Sequence, residues 1–184
     1  KILLAMVWGG MCAAAAPISL SGAGTYGTFT GSIEYFGGIQ TLVLTLNNTT
    51  AVYGGYITGV ALNIPGDSVA SIGLASSDPD FILIGGPGFS DTVNAAPYGD
   101  FDFGASLASN WEGSGPPFNG IPVGGSATFT FTMTGLVAGL TTQSFLDALS
   151  VGPGTPEAIM VRFRGLTDGT VGVSDKVPAD PDQP

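Results

Sequence analysis

The chain of 184 residues has no histidine and a single cysteine. Without histidine it can form no Ser-His-Asp triad, no Cys-His dyad and no histidine-ligated zinc or iron site. A lone cysteine cannot form a disulfide within the chain. Because most routes to nucleophilic and metal-assisted catalysis are thereby removed, the sequence predicts a protein that is not an enzyme.

Basic residues are also scarce. Four Lys and Arg stand against fourteen Asp and Glu, which gives a formal net charge of -10. Without a basic patch that could neutralise phosphates, we expect no nucleic-acid partner. The excess of acid also disfavours binding to anionic lipid surfaces. A charged fraction of only 10% leaves a surface of mostly neutral side chains. Such a surface is typical of extracellular or matrix proteins, and the alternative is an ordinary soluble domain of low pI.

The chain nevertheless has the composition of a folded domain. Hydrophobic residues make up 44% of it, so it can bury enough apolar surface to offset the loss of chain entropy on folding. Thirty glycines and thirteen prolines indicate many turns. The length suits one domain with a sizeable core.

The first residues have the layout of a secretory signal peptide. Lys1 precedes the apolar run 2–8, and a stretch of small residues follows. The apolar run is too short to span a bilayer, and Ala13 with Ala15 satisfies the A-x-A cleavage rule. Cleavage after Ala15 would remove Cys12; the alternative is that 2–16 forms a buried element of the domain. We expect a signal peptide over 1–15, a β-sandwich domain over 16–176 and a disordered tail or linker start over 177–184.

Strict alternation of apolar and polar residues predicts the strands. In 126–134, Phe129, Phe131 and Met133 alternate with threonines, which puts apolar side chains on one strand face and hydroxyls on the other. The same period of two runs through 41–46, 59–64, 99–104 and 158–164, with Gly- and Pro-rich turns between. The pattern predicts an all-β fold, a single jelly-roll-like β-sandwich of about eight or nine strands.

One segment favours a helix instead. Thr141 and Thr142 are suitable N-caps, and Phe145, Leu146 and Leu149 would then share one face. We expect a short helix near 142–149 that closes one end of the sandwich.

Five aspartates between positions 78 and 102 form the main candidate for a metal site. Oxygen-only clusters suit Ca²⁺, and Asp100 and Asp102 would project from the same strand face. Turn and strand aspartates also commonly cap backbone or face water, and no EF-hand spacing is present. The candidate ligands of a structural Ca²⁺, the only cofactor considered, are Asp78, Asp80, Asp100 and Asp102.

Aromatic residues form the second candidate site. Tyr56, Tyr98 and Trp111 could present rings to a carbohydrate, and the long irregular stretch 85–125 could carry a binding loop. The alternative is that these rings cover the core. A glycosidase would need two carboxylates facing each other across a cleft, and Asp100 or Asp102 with Glu112 is the pair considered.

Two of the four bases lie on one strand. Arg162 and Arg164 are two residues apart and therefore share a face. We expect structural ion pairs with Asp102 or with the turn at Asp175, and we expect Lys176 to fix the C-terminal turn.

Several segments together carry a family resemblance. They are GYITGVALNIP over 55–65, FDFGA over 101–105, GIPVGGSATFTF over 120–131, VRFRG over 161–165 and SDKVP over 174–178. In this order they resemble exported bacterial proteins sorted by the PEP-CTERM/exosortase system. The resemblance implies export to the cell surface or into extracellular polysaccharide. The family's C-terminal hallmark is Val-Pro-Glu-Pro before a membrane helix and a basic tail, whereas here Val177-Pro178 is followed by Ala179-Asp180.

The sequence therefore predicts an exported bacterial cell-surface or extracellular-matrix protein with a structural or display role. The alternative is a carbohydrate- or calcium-binding β-sandwich module. The expected partners are extracellular polysaccharide or further copies of the chain, and we expect no membrane span in the mature protein.

Overall fold

The computed structural model describes residues 16–112, 115–167 and 174–181. The predicted signal peptide, including Cys12, lies outside these residues. The first nine strands are β1 (Ile18–Ala23), β2 (Thr28–Phe36), β3 (Thr41–Asn48), β4 (Gly54–Leu62), β5 (Ser71–Ser76), β6 (Ile82–Ile84), β7 (Val93–Asn94), β8 (Asp100–Phe101) and β9 (Phe103–Ser106). They are followed by β10 (Ile121–Pro122), β11 (Ser126–Thr134), helix α1 (Thr142–Asp147), β12 (Ile159–Leu166), β13 (Ser174–Pro178) and β14 (Asp180–Pro181).

Two antiparallel sheets form the body of the protein. The first sheet has the order β14-β1-β2-β3-β11-β5, and the second has the order β13-β12-β4-β9-β6, with β10 also paired to β4. Strands β7 and β8 form a separate two-stranded sheet. The all-β sandwich prediction is confirmed, although several of the strands have only two residues. The jelly-roll connectivity stays a prediction.

The core lies between the two sheets. The alternating apolar residues of the first sheet point into it, and Leu42, Leu44, Phe129 and Phe131 are each fully buried. Phe131 meets Phe103 of the second sheet edge-on, with ring centroids 5.0 Å apart. Such aromatic pairs add about 0.5–1.5 kcal/mol beyond the burial of their area. The period of two in the sequence is therefore the pattern that builds the sandwich.

The second sheet is also covered on its outer face. Ala61 of β4 and Met160 of β12 point away from the core and are fully buried there. They belong to a separate group of packed side chains, called here the outer cluster. Its buried members are Ala61, Ile84, Val93, Ala95, Phe101, Trp111 and Met160. Residues between 93 and 111 thus form a partial third layer over the second sheet. This layer covers the outer face of β4 and β12, so both faces of these two strands are buried.

Helix α1 begins where it was predicted to begin and ends two residues earlier than predicted. The Thr141 side chain accepts a hydrogen bond from the Ser144 backbone, and the Ser144 side chain accepts one from the Thr141 backbone, which completes a capping box. Phe145 and Leu146 are buried, and the Phe145 ring lies 4.8 Å from that of Tyr35. Because α1 ends at Asp147, Leu149 lies beyond it and is 52% exposed.

The C-terminal residues enter the sheets instead of forming a tail from 177. Val177 is fully buried and pairs with Val161, while Asp180–Pro181 forms β14 beside β1. Val177 supplies an apolar side chain to the core, and proline is tolerated at a sheet edge because its missing N–H would face solvent. Residues 182–184 lie outside the described residues.

Candidate functional site

The strand predicted over 99–104 is broken at Asp102. Strand β8 ends at Phe101 and β9 begins at Phe103, so the alternation changes face between them. Phe101 packs in the outer cluster, whereas Phe103 packs in the core. The expectation that Asp100 and Asp102 share one strand face is therefore wrong.

The carboxylate of Asp102 is buried and accepts hydrogen bonds from two backbone N–H groups. Only 1% of Asp102 is exposed. Its Oδ2 accepts a hydrogen bond from the backbone N–H of Ile64 at 2.6 Å, and its Oδ1 accepts one from that of Asp91 at 2.9 Å. Burial raises the pKa of Asp102, and the two hydrogen bonds partly offset that rise. Asp102 therefore fixes the loop that leads into β7.

A threonine and a glycine complete this anchor. The Thr92 hydroxyl donates to the carbonyl oxygen of Asp102 at 3.2 Å and accepts from the backbone N–H of Gly86 at 3.1 Å. Gly85 has a φ of +95°, and a Cβ there would clash with the carbonyl oxygen of Asp102. The close approach of these two backbones therefore requires glycine at position 85.

A second segment, 109–112, is held against the sheet by Arg162. Nη1 of Arg162 donates to the carbonyl oxygen of Trp111 at 2.7 Å and to that of Glu112. The Trp111 indole, 3% exposed, lies over Gly59, where a Cβ would come within 3.3 Å of Cζ3. The small residue on β4 thus makes room for the ring.

The carboxylate of Glu112 bridges two bases. Oε2 lies 3.1 Å from Nη2 of Arg162, and Oε1 lies 3.1 Å from Nζ of Lys176. Arg162 and Lys176 are cross-strand neighbours on β12 and β13. Burial lowers the pKa of Arg162, and the charge of Glu112 opposes this. The carboxylate itself is 64% exposed at the surface.

The two anchored segments enclose a cleft of about 330 Å³. One wall is formed by 84–86 and 92–94, and the other by 109–112. Ile84, Val93 and Trp111 of the outer cluster form the buried, apolar part of this lining, while Asn94 and Asn110 are exposed. We call this depression the outer cleft, and it is the candidate functional site.

Three of the four aspartates predicted to bind calcium, Asp78, Asp100 and Asp102, have separate hydrogen-bond partners. Asp78 accepts a hydrogen bond from the backbone of Asp80 at 3.1 Å, as expected for a turn aspartate. Asp100 accepts one from the Asn94 side chain at 2.6 Å, and Asp102 binds backbone as described. Within 16–112, 115–167 and 174–181, no group of three or more Asp, Glu, Cys or His is placed to hold a metal ion.

The three candidate aromatic rings do not form one surface. Trp111 lines the outer cleft, and Tyr98 is partly buried against the outer cluster. Tyr56 is half-buried on β4, near Gly165. Of the three, only Trp111 contributes to the cleft.

The predicted basic residues have partners other than those expected. Arg162 pairs with Glu112 instead of Asp102, and Arg164 donates to the carbonyl oxygen of Gly115 at 2.9 Å. Asp175 accepts hydrogen bonds from the backbone N–H groups of Tyr26 and Gly27, at 2.7 and 3.0 Å. The role of Glu112 in an ion pair was missed, because nothing local in the sequence shows that its loop lies over β12.

Comparison with known proteins supplies no family for this site. No protein-family model, curated protein or solved structure matches the chain. Within the part of the chain that the structure describes, no helix has both the length and the apolar character needed to cross a membrane.

Proposed function

We propose that this protein is an exported bacterial cell-surface or extracellular-matrix protein whose role is structural and depends on association between copies of the chain. The signal-peptide layout of 1–15 and the resemblance to exosortase-sorted proteins support export. The lack of histidine and the net charge of -10 support a role without catalysis or nucleic-acid binding. The observation that carries the proposal is the edge strand β5.

Among the described strands, three of the four ends of the two main sheets carry features that discourage pairing with another chain. Strand β14 has two residues and includes Pro181, and β6 has three residues. Strand β13 contains Asp175, Lys176 and Pro178. Short edge strands, charges and prolines are the usual protection against strand addition, because an edge otherwise presents unpaired N–H and C=O groups.

Strand β5 has none of these features. It is six residues long, reads SIGLAS and contains no charge or proline. It pairs with β11 and lies at the end of the first sheet. Its outward positions are occupied by Ser71, Gly73 and Ala75, which are exposed and small. A second copy can therefore add a strand here without displacing any large or charged side chain.

The neighbouring sheet face is also neutral and compact. On β2, β3, β11 and β5 the outer face carries mainly hydroxyl side chains and one charged residue, Glu34. Some hydroxyls pair across strands, as do Thr45 with Thr128 at 3.0 Å and Ser71 with Thr134 at 2.7 Å. Such a face continues across an added strand without like-charge repulsion.

The test is the oligomeric state of the protein with a charge placed at the edge. We expect the wild type to associate with rising concentration in size-exclusion chromatography with light scattering. Ala75→Lys should remain monomeric, because the new charge sits on the free edge. Thr132→Lys is the matched control, since Thr132 is exposed on the same face one strand further in, opposite Gly73.

Two outcomes would overturn the proposal. One is a wild type that stays monomeric at millimolar concentration. The other is an Ala75→Lys variant, shown by its melting temperature to be folded, that associates as the wild type does.

A further inference from the structure

We infer that the outer cleft binds an uncharged saccharide unit of an extracellular carbohydrate. This goes beyond the structural role proposed above, since it gives each copy of the chain a ligand of its own. The inference stands on the size, the lining, the charge balance and the rigidity of the cleft.

The size of the cleft suits a small ligand. Its volume of about 330 Å³ lies at the lower end of the range of roughly 300–1,000 Å³ found for ligand pockets. A single sugar ring with its substituents is a ligand on this scale, so the cleft fits one unit of a chain or a chain end.

The lining combines a small, mostly buried apolar part with a polar rim whose one charged residue is Glu112. Ile84, Val93 and Trp111 are 3%, 2% and 3% exposed and belong to the packed outer cluster. The exposed rim carries the Asn94 and Asn110 amides together with hydroxyl side chains. A sugar presents C–H groups and hydroxyls together, and amides can both donate to and accept from those hydroxyls.

The charge balance favours an uncharged ligand over an ion. Glu112 is the charged residue in the lining, and its carboxylate lies 3.1 Å from both Arg162 and Lys176. These bases compensate its charge, so the lining itself carries no excess of acid that would select a cation. The exposed carboxylate would still repel an anion, whereas it can accept hydrogen bonds from sugar hydroxyls.

Both walls are held in place before any ligand arrives. Asp102 accepts two backbone hydrogen bonds beneath one wall, and Arg162 donates to two carbonyl oxygens of the other. The Asn94 amide is also oriented, because it donates to Asp100 at 2.6 Å and accepts from the Ala96 backbone at 3.3 Å. A rigid site loses little conformational entropy on binding, which favours even a small ligand.

The experiment uses Trp111 as the reporter. The chain has two tryptophans, so Trp8→Phe in the full chain leaves Trp111 as the single tryptophan, which is excited selectively over the tyrosines. This protein is titrated with glucose, galactose, mannose, N-acetylglucosamine and their short oligomers, with glucuronate and calcium as charged comparators, and binding is checked by calorimetry. We expect a saturable fluorescence change with at least one neutral sugar and none with the charged comparators.

Variants test the location. Ser109→Tyr should abolish binding by filling the cleft from its exposed rim, and Asn110→Ala should weaken it about tenfold through a lost hydrogen bond. Asn47→Ala is the control, since Asn47 lies on the outer face of the first sheet. Repeating the titration with Ala75→Lys separates this inference from self-association, because a monomer should bind equally well.

Three results would overturn the inference. The first is the absence of any saturable change across the neutral panel. The second is equal binding of glucuronate or calcium, which would make the cleft an ion site. The third is unchanged binding by both Ser109→Tyr and Asn110→Ala.

Discussion

Replacing Arg162 by methionine tests how the third layer is attached to the sandwich. The side chain is 7% exposed, and Nη1 supplies hydrogen bonds to the carbonyl oxygens of Trp111 and Glu112. Methionine preserves the apolar stem and removes the guanidinium group. The buried carbonyl oxygen of Trp111 and the part-buried one of Glu112 then lose their donor. The desolvation penalty of an unsatisfied buried polar group is about 1–3 kcal/mol, and a part-buried group costs less because water can reach it.

The expected loss of stability is smaller than the sum of these terms. Removing the guanidinium also relieves the cost of burying a charge, and it removes Nε. Among the described residues, Nε of Arg162 and Nε1 of Trp111 are the buried side-chain polar atoms without a hydrogen-bond partner. We therefore expect Arg162→Met to lower the free energy of unfolding by about 2–3 kcal/mol. For a domain of this size the melting temperature should fall by about 4–12 °C.

The matched variant is Glu112→Gln, which removes the ion pairs and leaves the backbone carbonyls in place. Because the carboxylate is 64% exposed, its two ion pairs are screened, and we expect a loss of about 0–1 kcal/mol. Urea unfolding followed by Trp111 fluorescence and by circular dichroism measures both variants. An equal cost for Glu112→Gln and Arg162→Met would contradict this prediction, because the ion pair and not the backbone anchor would then hold the segment.

Two further predictions concern the opposite wall of the outer cleft. Gly85→Ala should destabilise the protein by about 2 kcal/mol or more, because it adds a clash with Asp102 to the strain of a positive φ. Gly88→Ala has a similar φ of +94° with nothing within 4 Å of the added Cβ, so thermal melting should show a smaller cost, and equal costs would argue against the clash. Asp102 has a pKa raised by burial, so the folded state binds its proton more tightly than the unfolded state does. The stability of the wild type relative to Asp102→Asn should therefore be greatest below the unfolded pKa and should decline as pH rises through the folded pKa. Urea unfolding of both proteins between about pH 3 and pH 7 measures this difference, and a wild type that loses more stability than the variant on acidification would contradict it.

The sequence alone determined the features that depend on near neighbours in the chain. Alternation predicted which side chains of β3 and β11 enter the core, because successive side chains of any strand point to opposite faces. Thr141 predicted the start of α1, since a cap satisfies backbone groups within its own first turn. The number and kind of ionisable residues likewise limit the chemistry that the chain can perform, because they are a property of composition and not of the fold.

The tertiary structure decided the outer cleft. The anchor of one wall joins Asp102 to Ile64, 38 residues away, and that of the other joins Arg162 to Trp111, 51 residues away. Because the strand is broken at Asp102, Phe101 packs in the outer cluster and Phe103 packs in the core. The alternation in the sequence gives no sign of this break. A polar group can be buried at low cost only where other groups supply its hydrogen bonds, and the partners of Asp102 and Arg162 are distant in sequence. Which hydrogen-bond partners are within reach depends on how the two sheets and the loop over them pack, and therefore on the whole fold and not on any local segment.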